Sequence, residues 1–271
     1  MRAFIISLKD SQCESNKEIA SILEQGRFEA NFIDAVYGPG LSAKEYFVAV
    51  RKYFNAGNSL VTPSELGCAL SHKKAYEAFL RTGDSHALIL EDDVILEANA
   101  CEKIQRIMGQ FGNFEGYLHL GGIEGLLESF GRVGGTICCE VPPVFKVNRS
   151  DLRYLYRTVG YVISSAFAKK IVNLMDQDMF VIDDFSHIRQ SVQIGEFYFA
   201  NIVKHPVDPR ASSIQSERDL KGSRRASSKL AARIYRKLAM RIEREIDIAL
   251  RSREKIINQL RAIDAGSLPL E

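Results

Sequence analysis

No stretch of this 271-residue chain approaches the roughly 18–20 uninterrupted apolar residues that cross a bilayer. The opening MRAFIISLKD is too short in its apolar part for a secretory signal, so the sequence predicts a chain kept in the cytoplasm. Its five cysteines (Cys13, Cys68, Cys101, Cys138 and Cys139) are odd in number and form no CxxC pair. Neither a disulfide framework nor a zinc site is suggested, and buried, reduced thiols are predicted. GxxxxGKS/T, GxGxxG and HExxH are all missing, which argues against P-loop, kinase-like and dinucleotide-binding readings. No internal repeat is present.

What is present fits a soluble globular domain with an appendage: 46% of residues are hydrophobic. The net charge of +2 conceals a division. Residues from Arg218 onward carry 14 Lys+Arg against 7 Asp+Glu, leaving 22 against 27 of the totals of 36 and 34 before it. An acidic body with a basic tail points to an anionic partner.

The body reads as α/β. RAFIISL (2–8) has the composition of a buried strand and is followed by a helical stretch from about Ser15 to Gln25. Thr62-Pro63-Ser64-Glu65 is a helix start, with an N-cap, proline at the first helical position and a glutamate placed to close a capping box; Gly83 supplies the stop. Ala87–Leu90 then reads as a buried strand, the helix-to-strand order of a parallel sheet. A helix over Glu97–Phe111, a strand over Tyr117–Leu120 and a glycine-rich loop (Gly121, Gly122, Gly125) follow. Residues 132–157 read as short strands. A strand over Thr158–Ile163 precedes a helix through Met175, capped by Ser164 or Ser165. From about Ser227 a single basic amphipathic helix is predicted, with Leu230, Ile234, Leu238, Ile242, Ile246, Ala249 and Leu250 along one stripe. Residues 1–215 are thus assigned to a catalytic domain and 216–271 to the appendage, joined through Ser212–Ser228.

Two acidic clusters follow apolar segments. Glu91-Asp92-Asp93 falls at the carboxyl end of a strand, where ligands bind in open α/β sheets. Adjacent carboxylates repel, and a hard cation such as Mn²⁺ or Mg²⁺, shared with substrate phosphates, offsets that; a solvated acidic turn is the competing reading. Asp183-Asp184 reads equally as an N-cap or as a general base.

Together, FIISLK (4–9), SELGCALSH (64–72), ALILEDDV (87–94), GYVIS (160–164) and VIDDF (181–185) resemble glycosyltransferase family 25, the lipopolysaccharide and lipooligosaccharide transferases related to collagen galactosyltransferases, over roughly residues 1–215. The resemblance implies a GT-A-type, Rossmann-like nucleotide-sugar-binding fold and an inverting, metal-dependent transfer of a hexose, galactose first, from a UDP-sugar to a glycolipid or oligosaccharide acceptor. It implies that Glu91 lies near the donor ribose and that Asp93, helped by Asp92, holds the ion, with His205 of KHPVD a candidate third ligand. It places Asp183 or Asp184 as the base, Ser71 and His72 as substrate contacts, and Ile6 and Ser7 near the donor. The family's usual start, an Asn-Leu followed by arginines, is replaced here by Ser7-Leu8-Lys9-Asp10. His86, His119 and His187 have no supporting context.

Nothing in the sequence matches a nucleic-acid recognition motif. The basic helix suits either an anionic inner-leaflet membrane surface or packing on the domain or on a second subunit of a homo-oligomer. Phosphoryl or nucleotidyl transfer through the same acids, and a catalytically inactive transferase fold used as a binding module, are the rival readings. Glycoside hydrolysis ranks below them because it gives no reason for an acidic triplet.

Overall fold

A computed structural model describes residues 1–207 except 113, 193 and 194, the short C-terminal stretch 255–264, and the isolated residues 214, 217, 241, 242, 245 and 246. Eight strands, β1 (Arg2–Ser7), β2 (Glu29–Asp34), β3 (His86–Glu91), β4 (Gly116–Gly121), β5 (Gly135–Glu140), β6 (Pro143–Val147), β7 (Gly160–Ser164) and β8 (Glu196–Val203), form one sheet in the order β2-β1-β3-β7-β4-β8-β6-β5. The α/β architecture is as expected from the sequence.

The sheet is mixed rather than wholly parallel. β1 runs parallel to β2 and β3, and β4 to β8, but β7 is inserted antiparallel between β3 and β4. Consequently the chain enters β7 at the same sheet edge where β1, β3, β4 and β8 end.

Side chains alternate across the sheet with the period of two that pleating imposes. Phe4, Ile6, Ala87 and Ile89 face a core built with α2 (Ala43–Asn55), α3 (Pro63–Thr82), α6 (Ser165–Gln177) and α7 (Phe185–Val192). Ala3, Ile5, Leu88 and Leu90 face a second core with α1 (Glu14–Gln25) and α4 (Ala100–Phe111). Each fully buried Leu or Ile contributes about 1.5–3 kcal/mol, so covering the central strands on both faces fixes them firmly. A short α5 (Leu127–Phe130) follows β4.

α3 carries the start and stop read from the sequence. Thr62 N–H donates to Glu65 Oε2 at 2.7 Å, Glu65 N–H donates to Thr62 Oγ1 at 3.2 Å, and Gly83 ends the helix in the left-handed region with φ 77°. Ser164 caps α6 by accepting from the Phe167 N–H at 3.3 Å. Gly67 allows α3 to meet the preceding loop, since a Cβ there would lie 2.5 Å from Gly38 N and 2.6 Å from Val36 O.

β2, α2 and β8 have no counterpart in the sequence reading. The thiols also depart from expectation: Cys101 is buried, Cys13, Cys68 and Cys139 are partly exposed, and Cys138 is exposed on the edge strand β5.

Of the predicted appendage, most lies outside the described residues, as does most of the Ser212–Ser228 joint. The stripe residues Ile242 and Ile246 are 55% and 52% exposed. A final helix, α8 (Ile256–Asp264), packs on the first core: Ile256 and Ile257 are buried, Ile256 N–H donates to Val133 O at 3.1 Å, and Lys255 Nζ donates to Arg132 O at 2.8 Å. Among the described residues no helix is long and apolar enough to cross a membrane.

Candidate active site

The carboxyl ends of β1, β3, β4 and β8, the start of β7 and the start of α7 converge on one edge of the sheet. Glu91 closes β3. Its N–H donates to Val159 O at 3.0 Å, while its Oε1 accepts from Thr158 Oγ1 at 2.5 Å and faces His72 Nε2 at 3.1 Å. Burial pushes the Glu91 carboxyl up, but the His72 and Thr158 contacts outweigh it and hold the group below the ordinary carboxylate value. His72 is fully buried, and its Nδ1 lies 2.7 Å from the Tyr161 hydroxyl.

Asp92 turns toward the β1–α1 loop. Its Oδ2 accepts from Ser7 Oγ at 2.6 Å, with Lys9 Nζ 3.8 Å away. Ser7 Oγ in turn accepts from Lys9 N–H at 3.0 Å and from the buried Asn16 Nδ2 at 3.1 Å, so one serine hydroxyl joins loop, helix and acid.

Asp93 turns the other way. His205, just past β8, places Nε2 3.1 Å from Asp93 Oδ2, and its own N–H donates to Glu124 Oε2 at 2.9 Å. Burial lowers the His205 pKa, but the bond to Asp93 and its charge more than reverse this, leaving the imidazole above 6.5. Gly122 makes the approach possible: its φ is 75°, and a Cβ there would lie 2.6 Å from Val159 Cγ1 and 3.6 Å from His205 Cβ.

Asp183 and Asp184 divide. Asp184 caps α7, with Oδ1 accepting from the His187 N–H at 3.0 Å and Oδ2 accepting from the Tyr53 hydroxyl at 2.7 Å. Asp183 is half-buried, and its Oδ2 accepts from the Arg157 N–H at 3.4 Å.

Arg157 was not singled out in the sequence. It is a non-glycine residue at φ 70°, and its Nη1 donates to Gly122 O at 2.6 Å and Glu124 O at 2.8 Å. Partial burial lowers its pKa, against the attraction of Asp93, Glu124, Glu91 and Asp183. A strained backbone at a cation surrounded by four acids is the kind of outlier that collects at functional sites. No local sequence signal marks it, because the position acquires meaning only when β7 reverses beside β3. His119, also without context in the sequence, supports the same turn: its Nε2 lies 3.0 Å from both Tyr156 O and Arg157 O, and its Nδ1 accepts from the Gly121 N–H at 3.1 Å.

The structure therefore brings Ser7, Glu91, Asp92, Asp93, His72, Asp183 and His205 to one edge. It places Ile6 and Ser71 in the interior. Ile6 is buried in β1, and Ser71 Oγ is committed to Gly67 O at 2.7 Å and the Val36 N–H at 2.8 Å, tying α3 to the loop before α2.

The profile of glycosyltransferase family 25 (LPS biosynthesis protein) matches residues 1–186. A Haemophilus influenzae protein described as a "Putative glycosyltransferase" is 25% identical over 240 residues, covering 83% of this chain and 79% of that protein. A Drosophila melanogaster glycosyltransferase 25 family member is 29% identical over 68% of this chain, and the human procollagen galactosyltransferase 2 is 25% identical over 80% of it. The chain spans only 30% and 33% of the length of those two animal proteins. With its matched segment covering every element that carries the acids of the site up to Asp184, the chain belongs to glycosyltransferase family 25.

Proposed function

We propose that the protein transfers a hexose, galactose first among the candidates, from a UDP-sugar to a sugar hydroxyl of a lipooligosaccharide or lipopolysaccharide acceptor, by a single in-line displacement with inversion. The observation that carries this reading is the convergence of Asp93, His205, Arg157 and Asp183 on one sheet edge. The galactose preference and the acceptor class rest on the relatives' printed activities and the family description.

Asp93 and His205 offer a carboxylate oxygen and an imidazole nitrogen from the segments just past β3 and β8, a donor set that suits Mn²⁺ and fits the ion implied by the resemblance. When bound, such an ion supplies neutralising charge for the departing diphosphate. The chain's own groups perform the rest. Asp183 accepts the proton of the acceptor hydroxyl as its oxygen bonds to the anomeric carbon, and the bond from that carbon to the diphosphate breaks with both electrons leaving on UDP. Arg157 adds a fixed positive charge to the leaving-group side. Glu91, held by Thr158 and His72, orients the donor ribose, and the Ser7–Asp92 bond fixes the neighbouring loop.

The test is thermal unfolding with UDP, with and without Mn²⁺, on wild type and Asp93→Ala. Ligand at 100-fold excess over its dissociation constant stabilises by about 2.7 kcal/mol, a shift of roughly 5–10 °C for a chain of this size. A Mn²⁺-dependent shift lost in Asp93→Ala supports the reading, and no shift in wild type overturns it.

For the acceptor side, exposed Ile242 and Ile246 in the basic C-terminal region favour contact with an anionic membrane surface. Cosedimentation with phosphatidylglycerol vesicles that drops in I242E/I246E supports this, and equal binding by the variant excludes it.

A further inference from the structure

We propose that Cys68, His72 and Glu91 form a second, soft divalent-cation site, of the chemistry that binds Zn²⁺, behind the edge where Asp93 and His205 meet. It shares His72 and Glu91 with the donor-side reading, and its Co²⁺ readout is separate from sugar transfer. Their ligand atoms lie within 4.8 Å of one another, and they are the one Cys/His/Asp/Glu group of this kind among the described residues.

Cys68 and His72 are four residues apart on α3 and therefore share one helix face, opposite the last residue of β3. Ligands at Zn²⁺ bond lengths of ~2.0–2.3 Å in a tetrahedron lie about 3.3–3.8 Å apart. His72 Nε2 and Glu91 Oε1, at 3.1 Å, are already close to that spacing, so closure requires the Cys68 thiol to move by about an ångström.

The surroundings are those of a supported metal site, in which outer hydrogen bonds fix each ligand's orientation. Thr158 Oγ1 holds the Glu91 carboxylate at 2.5 Å, and the Tyr161 hydroxyl holds His72 Nδ1 at 2.7 Å. The Tyr161 hydroxyl donates its single hydrogen to Tyr76 Oη at 2.7 Å, so it accepts from His72 Nδ1–H. The other ring nitrogen, Nε2, faces Glu91 Oε1 at 3.1 Å, and a cation bound there would take the place of the proton shared across that contact, releasing it to solvent.

The charges also balance. Zn²⁺ binding displaces the Cys68 thiol proton to solvent, and one thiolate with one carboxylate neutralises the dication. Sulfur, imidazole and a single carboxylate select Zn²⁺ or Co²⁺ over Mg²⁺. Asp93 and His205 contain no sulfur, so the two sites have different optical signatures.

The experiment is titration of the full chain with Co²⁺, read by the near-ultraviolet thiolate-to-cobalt charge-transfer band and followed by Zn²⁺ displacement. Wild type, C68S, C138S/C139S and E91Q are compared. The band is expected to saturate at one equivalent in wild type and in C138S/C139S, to vanish on adding Zn²⁺, and to be missing in C68S. E91Q keeps every thiol and is expected to bind Co²⁺ at least ~10-fold more weakly, which decides the matter if C68S fails to fold. No band in wild type, a band retained in C68S, or unchanged affinity in E91Q overturns the proposal.

Discussion

Tyr53 donates its hydroxyl to Asp184 Oδ2 at 2.7 Å while Asp184 Oδ1 accepts from the His187 N–H, so both oxygens of the second acid are engaged in holding α7 to α2. Its neighbour Asp183 instead accepts from the Arg157 N–H on the edge that carries Glu91 and Asp93. Asp183→Asn should therefore lower kcat by ~10²–10⁴ without moving the melting temperature. Asp184→Ala removes a cap and leaves the buried Tyr53 hydroxyl without its acceptor, and should cost about 2–4 kcal/mol of stability. Steady-state transfer assays paired with thermal melts separate the two. A D183N variant of near wild-type turnover would return the base assignment to Asp184.

Arg157 tests the opposing demands of backbone and charge. At φ 70° a glycine relieves about 1 kcal/mol of steric cost, which partly offsets the loss of the bonds to Gly122 O and Glu124 O, so Arg157→Gly should fold with a modest loss of stability. It should nonetheless raise the KM for the donor by ~10–100-fold, the value of one or two charge-assisted hydrogen bonds. Arg157→Lys should not restore it, because an ammonium cannot reproduce the guanidinium's geometry. Donor saturation curves on the three proteins measure this.

The Asp93–His205 pair predicts a pH dependence in the metal-free protein. With the His205 pKa raised, the pair's contribution is complete below the unfolded imidazole value of about 6.5 and is lost as pH rises through the folded value. The stability difference between wild type and Asp93→Asn should thus shrink with rising pH. By NMR the His205 titration should move downward in Asp93→Asn, since burial and Arg157 still oppose the imidazolium.

His119 acts in the opposite direction. Burial holds its pKa down to about 4, although the carbonyls of Tyr156 and Arg157 favour the charged ring. Unfolding exposes an imidazole that takes up a proton near pH 6.5, so this contribution is intact above that value and fades as pH falls toward 4, by on the order of 3 kcal/mol. Denaturant melts of His119→Gln between pH 7 and 4 should show a flatter acid limb than wild type.

The parts of the fold written in local chemistry were legible in the sequence. Thr62, Glu65 and Gly83 mark α3 through a cap and a stop, and the apolar run before Glu91 marks β3, because each signal lies within a few residues of what it specifies. β2 and β8 were missed for a physical reason. β2 is a partly exposed edge strand, and β8 mixes buried and exposed positions without clean alternation. Glu91, Asp93, His205 and Asp183 could be named from composition, position and resemblance, but their partners could not. The contacts of His72 with Glu91, Asp93 with His205 and Arg157 with Asp183 span separations that only the sheet order closes.

The docking of α8 on the first core has a consequence for how the molecule is made. Ile256 and Ile257 complete a layer whose other members include Val133 and Phe145, already synthesised more than a hundred residues earlier. At ~5–20 residues per second the ribosome needs about 3–10 s to travel from Val203 to Ile256. During that interval the nascent sheet carries an open apolar slot beside β5, and a chaperone that recognises such surface has a defined time in which to act.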